Sequence, residues 1–350
     1  MHQRCTILLH STTGNTRLVA RLAAARLERA GHACTIHDVV KQPEPPPLDD
    51  TGLLIVACPT MYFRPTLVME RFVDRLPRAR NQGATLRHGV EHARGRVRGS
   101  RPAILLATAG GMVGAHFDIL AHQLRDRGWV AIAAHWVPFV NNWPPHRTLA
   151  HHIRLVRPLL RALDRRFLGL RWYLHWLWPD IGDPRPEDRD AFVRFMDRMA
   201  LQWPTTDVSR APAPHDLCRA SGASKWIGQH LGQRQMRLAT DVRIDPRRCT
   251  ACGTCVSVCP VGCIQAGDNQ ARGVGEPRSG AKRSACAPPE VKGAQNGIDV
   301  PRVGRGCTGC WACFQHCPER AISGLGAPRG SGRYGGPSGD VRSLFRGERD

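Results

Sequence analysis

Along the first 140 residues, short unbroken apolar runs alternate with stretches of helical period. Residues 5–10 (Cys-Thr-Ile-Leu-Leu-His), 33–38, 52–58 (Gly-Leu-Leu-Ile-Val-Ala-Cys), 102–108 (Pro-Ala-Ile-Leu-Leu-Ala-Thr) and 129–137 read as strands. Runs this continuous belong to strands covered on both faces, as in a parallel sheet. Leu18, Val19, Leu22, Ala25 and Leu27 fall at helical spacing, and further helices are expected over about 65–76 and 115–127. Strand–helix alternation of this kind predicts a doubly wound α/β fold with five parallel strands, whose ligand lies at the strands' carboxyl ends. The loops leaving those ends are 11–16, 59–64 and 109–114. A closing helix is expected at 185–202, where Pro186 and Glu187 open a run carrying Phe192, Phe195, Met196 and Met199.

Beyond this pattern the chain is punctuated differently. An insert at 141–183 separates the last strand from the closing helix and holds Trp143, Trp172, Trp176 and Trp178 with many arginines. A basic, Trp-rich stretch of that kind can lie on a membrane surface; a helical cover over the sheet edge is the favoured expectation. Residues 204–240 read as a polar linker, 266–297 as a surface loop rich in Gly, Ala, Arg and Pro, and 326–350 as a disordered tail. The expected division is therefore 1–203, a linker at 204–240, a small cysteine-rich domain at 241–325, and the tail.

The chemistry concentrates in the cysteines. Cys249, Cys252, Cys255, Cys259 and Pro260 spell Cys-x2-Cys-x2-Cys-x3-Cys-Pro, and Cys307, Cys310, Cys313, Cys317 and Pro318 repeat it 58 residues later. Register holds past the ligands, since Cys259-Pro260-Val261-Gly262-Cys263-Ile264 is matched by Cys317-Pro318-Glu319-Arg320-Ala321-Ile322. Cys-x2-Cys is also zinc-ligand spacing, yet zinc gives no reason for three evenly spaced cysteines followed by x3-Cys-Pro, twice. The double run resembles that of bacterial-type ferredoxins with two [4Fe-4S] clusters, in which the fourth cysteine of each run ligates the other cluster. That resemblance implies an α+β domain with one cluster on Cys249, Cys252, Cys255 and Cys317, and another on Cys307, Cys310, Cys313 and Cys259. Cys263 is expected to pack as a core residue near a cluster, and Cys286 to stand apart from both.

The loop after the first strand, Ser11-Thr12-Thr13-Gly14-Asn15-Thr16, places hydroxyls and one glycine at a helix start. Backbone N–H groups, the helix dipole and these hydroxyls make such a loop an anion site. Ser-x-Thr-Gly-x-Thr in this place resembles the phosphate loop of flavodoxins, over residues 5–140 by element order. Joined to the cysteine module, the chain resembles flavodoxin–ferredoxin fusion proteins. The resemblance implies FMN, its phosphate on Ser11, Thr12, Thr13, Gly14, Asn15 and Thr16. Its ring would lie between Pro59, Thr60, Met61, Tyr62 and Phe63 on one side and Thr108, Ala109, Gly110 and Gly111 on the other. The third loop departs from that family in lacking a tyrosine and acids beside the ring. Tyr62, the only tyrosine before residue 141, is the candidate for ring stacking.

Charge changes the picture little. The net charge is +21, but 46 of the 50 basic residues are arginines dispersed along the chain, with no nucleic-acid motif. No nucleic-acid partner is expected; an unidentified redox partner protein is. Free thiols, iron–sulfur ligands and the lack of a leader-like apolar run predict a cytoplasmic protein. Electron transfer between FMN and two clusters in one chain is the leading expectation. An NAD(P)H- or quinone-linked oxidoreductase and an iron–sulfur redox sensor are the alternatives; no Gly-x-Gly-x-x-Gly follows a strand to hold a dinucleotide.

Overall fold

The computed structural model describes residues 3–78, 100–140, 183–218, 220, 222–232, 241–267, 300–324, 327 and 331–346. The chain divides into two compact units, one comprising Met1–Val140, Gly182–Gln233 and Pro337–Asp350, the other Asn141–Ile181 and Arg234–Gly336. The Trp-rich insert (residues 141–182) and most of the loop between the cysteine runs (268–299, with Cys286) lie outside the described residues.

In the first unit β1 (Arg4–Leu9), β2 (Ala33–Asp38), β3 (Thr51–Met61), β5 (Arg101–Ala109) and β6 (Trp129–Pro138) form a parallel sheet in the order β2-β1-β3-β5-β6. A two-residue strand, β4 (Arg64–Pro65), folds back antiparallel on β3. Counting the parallel strands alone, this is the 2-1-3-4-5 order of the flavodoxin-like fold, which reverses direction beside β1 and so opens a crevice between β1 and β3. The helices are α1 (Asn15–Arg29), α2 (Leu67–Val73), α3 (His116–Arg125) and α4 (Pro186–Gln202). One core gathers Ile7 and Leu9, Ile55 and Ala57, and Ile104 and Leu106 from the sheet with Val19, Ala23 and Leu27 of α1 and Phe192 and Met196 of α4. Arg26 fastens the two helices with a bidentate pair to Asp197 at 2.6 and 2.7 Å.

Two stretches differ from expectation. The linker over 204–240 carries three short 3₁₀ turns and then α5 (Gly222–Trp226), which runs on into a π-helical turn, Ile227–Leu231. It belongs to the first unit as far as Gln233, held partly by an ion pair of Lys225 with Asp118 at 3.3 Å. The tail is likewise ordered within 337–346. Ser338 Oγ accepts the Val341 N–H at 3.3 Å and starts α8 (Gly339–Leu344), whose Val341, with the following Phe345, is buried in the first unit's core. Polar and glycine-rich composition hid both segments, because each is held by a few buried apolar or small residues rather than by its average character.

The second unit is built on an internal two-fold. β7 (Val242–Ile244), before the first cysteine run, pairs antiparallel with β10 (Ile322–Gly324), after the second run. β9 (Arg302–Val303), before the second run, pairs with β8 (Ile264–Gln265), after the first. Each run carries a short helix, α6 (Thr254–Ser257) and α7 (Ala312–His316). The module extends past 325: Arg333 donates to the carbonyls of Phe314 and Ile322 with its guanidinium over the Phe314 ring, and Tyr334 N donates to Gln315 Oε1 at 2.6 Å.

Candidate functional site

Each cysteine run is wound by left-handed residues at matching places. Ala251 (φ 54°), Gly253 (φ 72°) and Gly262 (φ 60°) of the first run correspond to Gly309 (φ 63°), Trp311 (φ 59°) and Arg320 (φ 51°) of the second. Three positive-φ positions, two of them non-glycine in the second run, cost roughly 1–2 kcal/mol each wherever a Cβ is present. They turn successive thiols inward, and backbone N–H groups follow: Ala251 N lies 3.4 Å from Cys249 Sγ, and Gly309 N lies 3.5 Å from Cys307 Sγ. Ala321 N is 3.3 Å from Cys317 Sγ.

The eight thiols divide between two cavities. One is lined by Cys249, Cys252, Cys255 and Cys317, together with Ile244, Ala321 and Ile322. The other is lined by Cys259, Cys307, Cys310 and Cys313, together with Val261, Ile264 and Trp311. The last cysteine of each run thus sits with the first three of the other. Cys263 also lines the second cavity, its Sγ 3.5 Å from that of Cys259. Among the described residues no three Cys, His, Asp or Glu side chains are placed to hold a single metal ion; the thiols are spread around cavity walls instead. Burial pushes the Cys255 thiol up to about 11 and the Cys310 thiol up to about 12, so these side chains would not ionise without compensating positive charge. Four thiols around each cavity, with apolar side chains and N–H donors beside them, fit an iron–sulfur cluster.

In the first unit the loop 11–16 closes on its own hydroxyl. Ser11 Oγ accepts the N–H groups of Gly14 (3.2 Å) and Arg17 (3.3 Å), and Gly14 takes φ 101°. Helix α1 opens on Gly14 with no acid in its first turn, Ser11 Oγ accepting the N–H of its third residue; an acid-free helix start suits an external anion. Arg17 is turned away to Asp38 at 2.7 Å, so the loop itself is uncharged. Thr16 departs from the expectation that its hydroxyl faces a phosphate: it is buried, and its Oγ1 lies 2.8 Å from Thr108 Oγ1. That bond ties the first loop to the end of β5. Thr13 and Asn15 are buried as well. The chemistry of these residues fits a terminal monophosphate.

Pro59, Thr60 and Met61 belong to β3 rather than to a loop, and Tyr62 and Phe63 form the two-residue turn into β4. Both central residues have φ > 0 (54° and 62°), the geometry of a tight hairpin turn that usually recruits Asn and Gly. Two bulky residues hold it because the surroundings leave no alternative. Ala115 N donates to Phe63 O at 2.8 Å. A Cβ on Gly228 would lie 2.2 Å from Phe63 O, one on Gly232 2.7 Å from Tyr62 O, and one on Gly114 2.5 Å from Phe63 Cβ. Arg64, next along, is buried in a bidentate pair with Glu70 (2.8 and 2.7 Å). The helical segment 222–232 is thus seated backbone-to-backbone on the Tyr62–Phe63 turn. Gly228 and Gly232 are one helical turn apart, a sequence signal of close backbone approach that the polar composition of 204–240 concealed. Gly228→Ala is expected to cost about 1–3 kcal/mol through overpacking, read as a lower urea midpoint. An unchanged midpoint would mean that the helix does not rest on the turn.

Two histidines stand behind these loops, and neither carries a signal in the sequence. His10, at the end of β1, has Nδ1 2.7 Å from Thr66 Oγ1 while its buried Nε2 meets no partner among the described residues. His116, opening α3, has Nδ1 2.9 Å from Thr60 Oγ1 and Nε2 3.6 Å from Cys58 Sγ. Burial holds both far below the ordinary imidazole range, His10 at about 4 and His116 at about 3. Both are neutral at pH 7. Of the third loop's residues, Thr108 and Ala109 end β5, and Gly110 and Gly111 follow as the chain turns, Gly111 at φ 144°.

Residues 242–265 match the family described as a 4Fe-4S binding domain. They carry iron–sulfur chemistry, and the chain an electron-transfer function. Among solved structures, similar ones include a flavodoxin from the domain Archaea (16% identity, 38% of this chain and 83% of that one, TM-score 0.28) and the flavodoxin of Megasphaera elsdenii in its two-electron reduced form (19%, 38% and 84%, TM-score 0.27). Oxidised flavodoxin 1 of Bacillus cereus is another (16%, 39% and 84%, TM-score 0.29). No curated protein matches the chain. The flavodoxin-like assignment of the first unit rests on its own strand order. No helix among the described residues is long and apolar enough to cross a membrane.

Proposed function

We propose that this chain is an electron-transfer flavoprotein that holds FMN in its first unit and two [4Fe-4S] clusters in its second, and passes electrons between them. The observation that carries the reading is the division of eight thiols between two cavities, each completed by the fourth cysteine of the other run. The matched left-handed positions and crossed strand pairs support a second cluster site although the 4Fe-4S family match ends at residue 265. Cys249, Cys252, Cys255 and Cys317 would hold one cluster; Cys307, Cys310, Cys313 and Cys259 the other. Ser11, Thr12, Thr13, Gly14 and Asn15 would take the FMN phosphate, with Thr16 tying their loop to Thr108, and the Tyr62–Phe63 turn and the Thr108–Gly111 strand end would flank its ring. When bound, FMN accepts two electrons and releases them singly, whereas each cluster carries one.

The protein's own contribution is placement and exclusion of water. Apolar side chains line both thiol sets, of which Cys252 alone stands exposed, and N–H groups aimed at Cys249, Cys307 and Cys317 stabilise negative charge on sulfur. One chain carrying both sites makes their encounter intramolecular. Exposed Arg243, Arg247, Arg248, Arg302, Arg305 and Arg320, against exposed Asp241 and Glu319, favour an anionic redox partner protein for the second unit. Anaerobically purified protein is expected to contain about eight iron and eight labile sulfides per chain, with about one FMN. Reduced low-potential ferredoxin should then reduce the flavin, and Cys252→Ala with Cys310→Ala should abolish that reduction while leaving reduction by dithionite. Fast flavin reduction by NADPH in that double variant would instead make the chain a nicotinamide-dependent reductase.

A further inference from the structure

After the iron–sulfur module the chain returns to the first unit, and it does so at the loop 11–16. Pro337 Cδ and Cγ lie 3.3 and 3.8 Å from where a Cβ on Gly14 would stand. A side chain at position 14 is therefore disfavoured twice, by φ 101° and by the proline ring. Arg342 Nε donates to Pro337 O at 2.9 Å, which holds the proline from the helix that follows. That helix, α8, is anchored by Val341 and Phe345, both under 5% exposed. The Phe345 ring stands 5.6 Å from Phe139, whose N–H bonds the carbonyl of Ala109 at 3.0 Å. One short segment thus lies beside the loop at the start of α1 and, through Phe139, reaches the end of β5.

We propose that residues 337–346 are a strap that positions the phosphate-binding loop, so that the C-terminal segment is part of the cofactor site. This rests on the reading of the loop as the seat of a flavin monophosphate. The physical argument is preorganisation. A loop containing glycine loses conformational freedom when it closes on a ligand, and that loss weakens binding. Pro337, rigid in its own ring, fills the space beside Gly14, the one residue of the loop with left-handed backbone, and narrows its conformational range before the ligand arrives. Two buried apolar side chains anchor the segment that carries the proline. The strap should act on the phosphate end of a flavin and leave the ring end unaffected.

The test compares FMN with riboflavin, which has the same ring and no phosphate. Flavin-stripped full chain, a chain ending at Gly336, and full-length Pro337→Gly are titrated with each flavin, following quenching of flavin fluorescence. The truncated chain should bind FMN at least about tenfold more weakly, and Pro337→Gly about threefold more weakly. Riboflavin affinity should change by less than about twofold in Pro337→Gly, and Pro337→Ala, which loses the Cγ and Cδ facing Gly14 but keeps a backbone less free than glycine's, should fall between wild type and Pro337→Gly. Pro337→Gly leaves Val341 and Phe345 in place, so it decides the matter even if the truncated chain fails to fold. FMN affinity unchanged in Pro337→Gly, or an equal loss for both flavins, overturns the strap. A full chain that binds neither flavin overturns the FMN reading itself, whatever the variants do.

Discussion

Cys317→Ala is expected to halve the iron content, from about eight to about four atoms per chain, by removing the cluster seated with Cys249, Cys252 and Cys255. The side chain comes from the second run, but its sulfur shares a cavity with the first three cysteines of the first run. Crossing can be read by combining substitutions. If Cys317 serves the same cluster as Cys249, adding Cys317→Ala to Cys249→Ala should cost no further iron, and about four atoms should remain. Adding it to Cys307→Ala should leave almost none. The reverse pattern would mean that each run holds its own cluster. Cys317 is a cleaner site for this test than Cys259, because Cys263 lies 3.5 Å from Cys259 and lines the same cavity. No fifth cysteine is among the residues lining the cavity that Cys317 completes.

The strands of the first unit are legible because fully buried parallel strands write themselves as unbroken apolar runs. Residues 52–58 read as a strand, and β3 begins one residue earlier at Thr51. It ends three later, at Met61, because the Tyr62–Phe63 turn and β4 extend it through pairing, which local composition does not encode. The closing helix is equally plain, since Pro186 at its start and Phe192, Phe195 and Met196 at helical spacing need no tertiary information. The resemblance to two-cluster ferredoxins implies which thiols form each set, and two cavities are lined by four of the eight thiols each.

What stays hidden depends on contacts distant in sequence. Segment 222–232 is short and polar, and its place is decided by two glycines meeting the Tyr62–Phe63 turn some 165 residues away (Gly228 against Phe63). Nothing in its hydrophobic pattern forecasts that partner. In the tail, Ser338 followed by Val341, Leu344 and Phe345 is a capped amphipathic turn, outvoted by the surrounding Gly and Arg. Thr16 illustrates a finer limit. Its place in the loop is as expected, but whether a hydroxyl faces a ligand or a neighbouring strand is a matter of rotamer, and here it meets Thr108. His10 and His116 escape notice because an isolated histidine has no local pattern; only burial gives them meaning.

That burial predicts a steep loss of stability in mild acid. An unfolded histidine titrates near 6.5, whereas folded His10 takes up its proton at about 4 and His116 at about 3. Between those limits the unfolded chain binds more protons than the folded one, so stability falls as the pH falls. The loss begins as the pH drops through about 6.5 and is complete near the folded values. Each tenfold difference in proton affinity between the two states is worth ~1.4 kcal/mol, so His10 contributes about 3 kcal/mol and His116 about 5 kcal/mol to the loss. Together these are a large part of the roughly 5–15 kcal/mol that holds a domain together. His135, held at about 4 chiefly by burial with Arg198 adding to it, acts in the same direction. Glu70 opposes them: burial keeps its carboxyl above the usual range despite Arg64, so its protonation in acid favours the folded state. Among the described residues of the first unit, three histidines against one carboxyl leave the balance with the histidines. Urea midpoints for the first unit, followed by tryptophan fluorescence, should therefore fall markedly between pH 7 and pH 5. His116→Gln, which keeps a polar group near Thr60 but cannot gain a proton, should flatten that dependence by about one proton. If the pH dependence of His116→Gln matches that of the unaltered chain, the imidazole is not buried neutral as the structure places it.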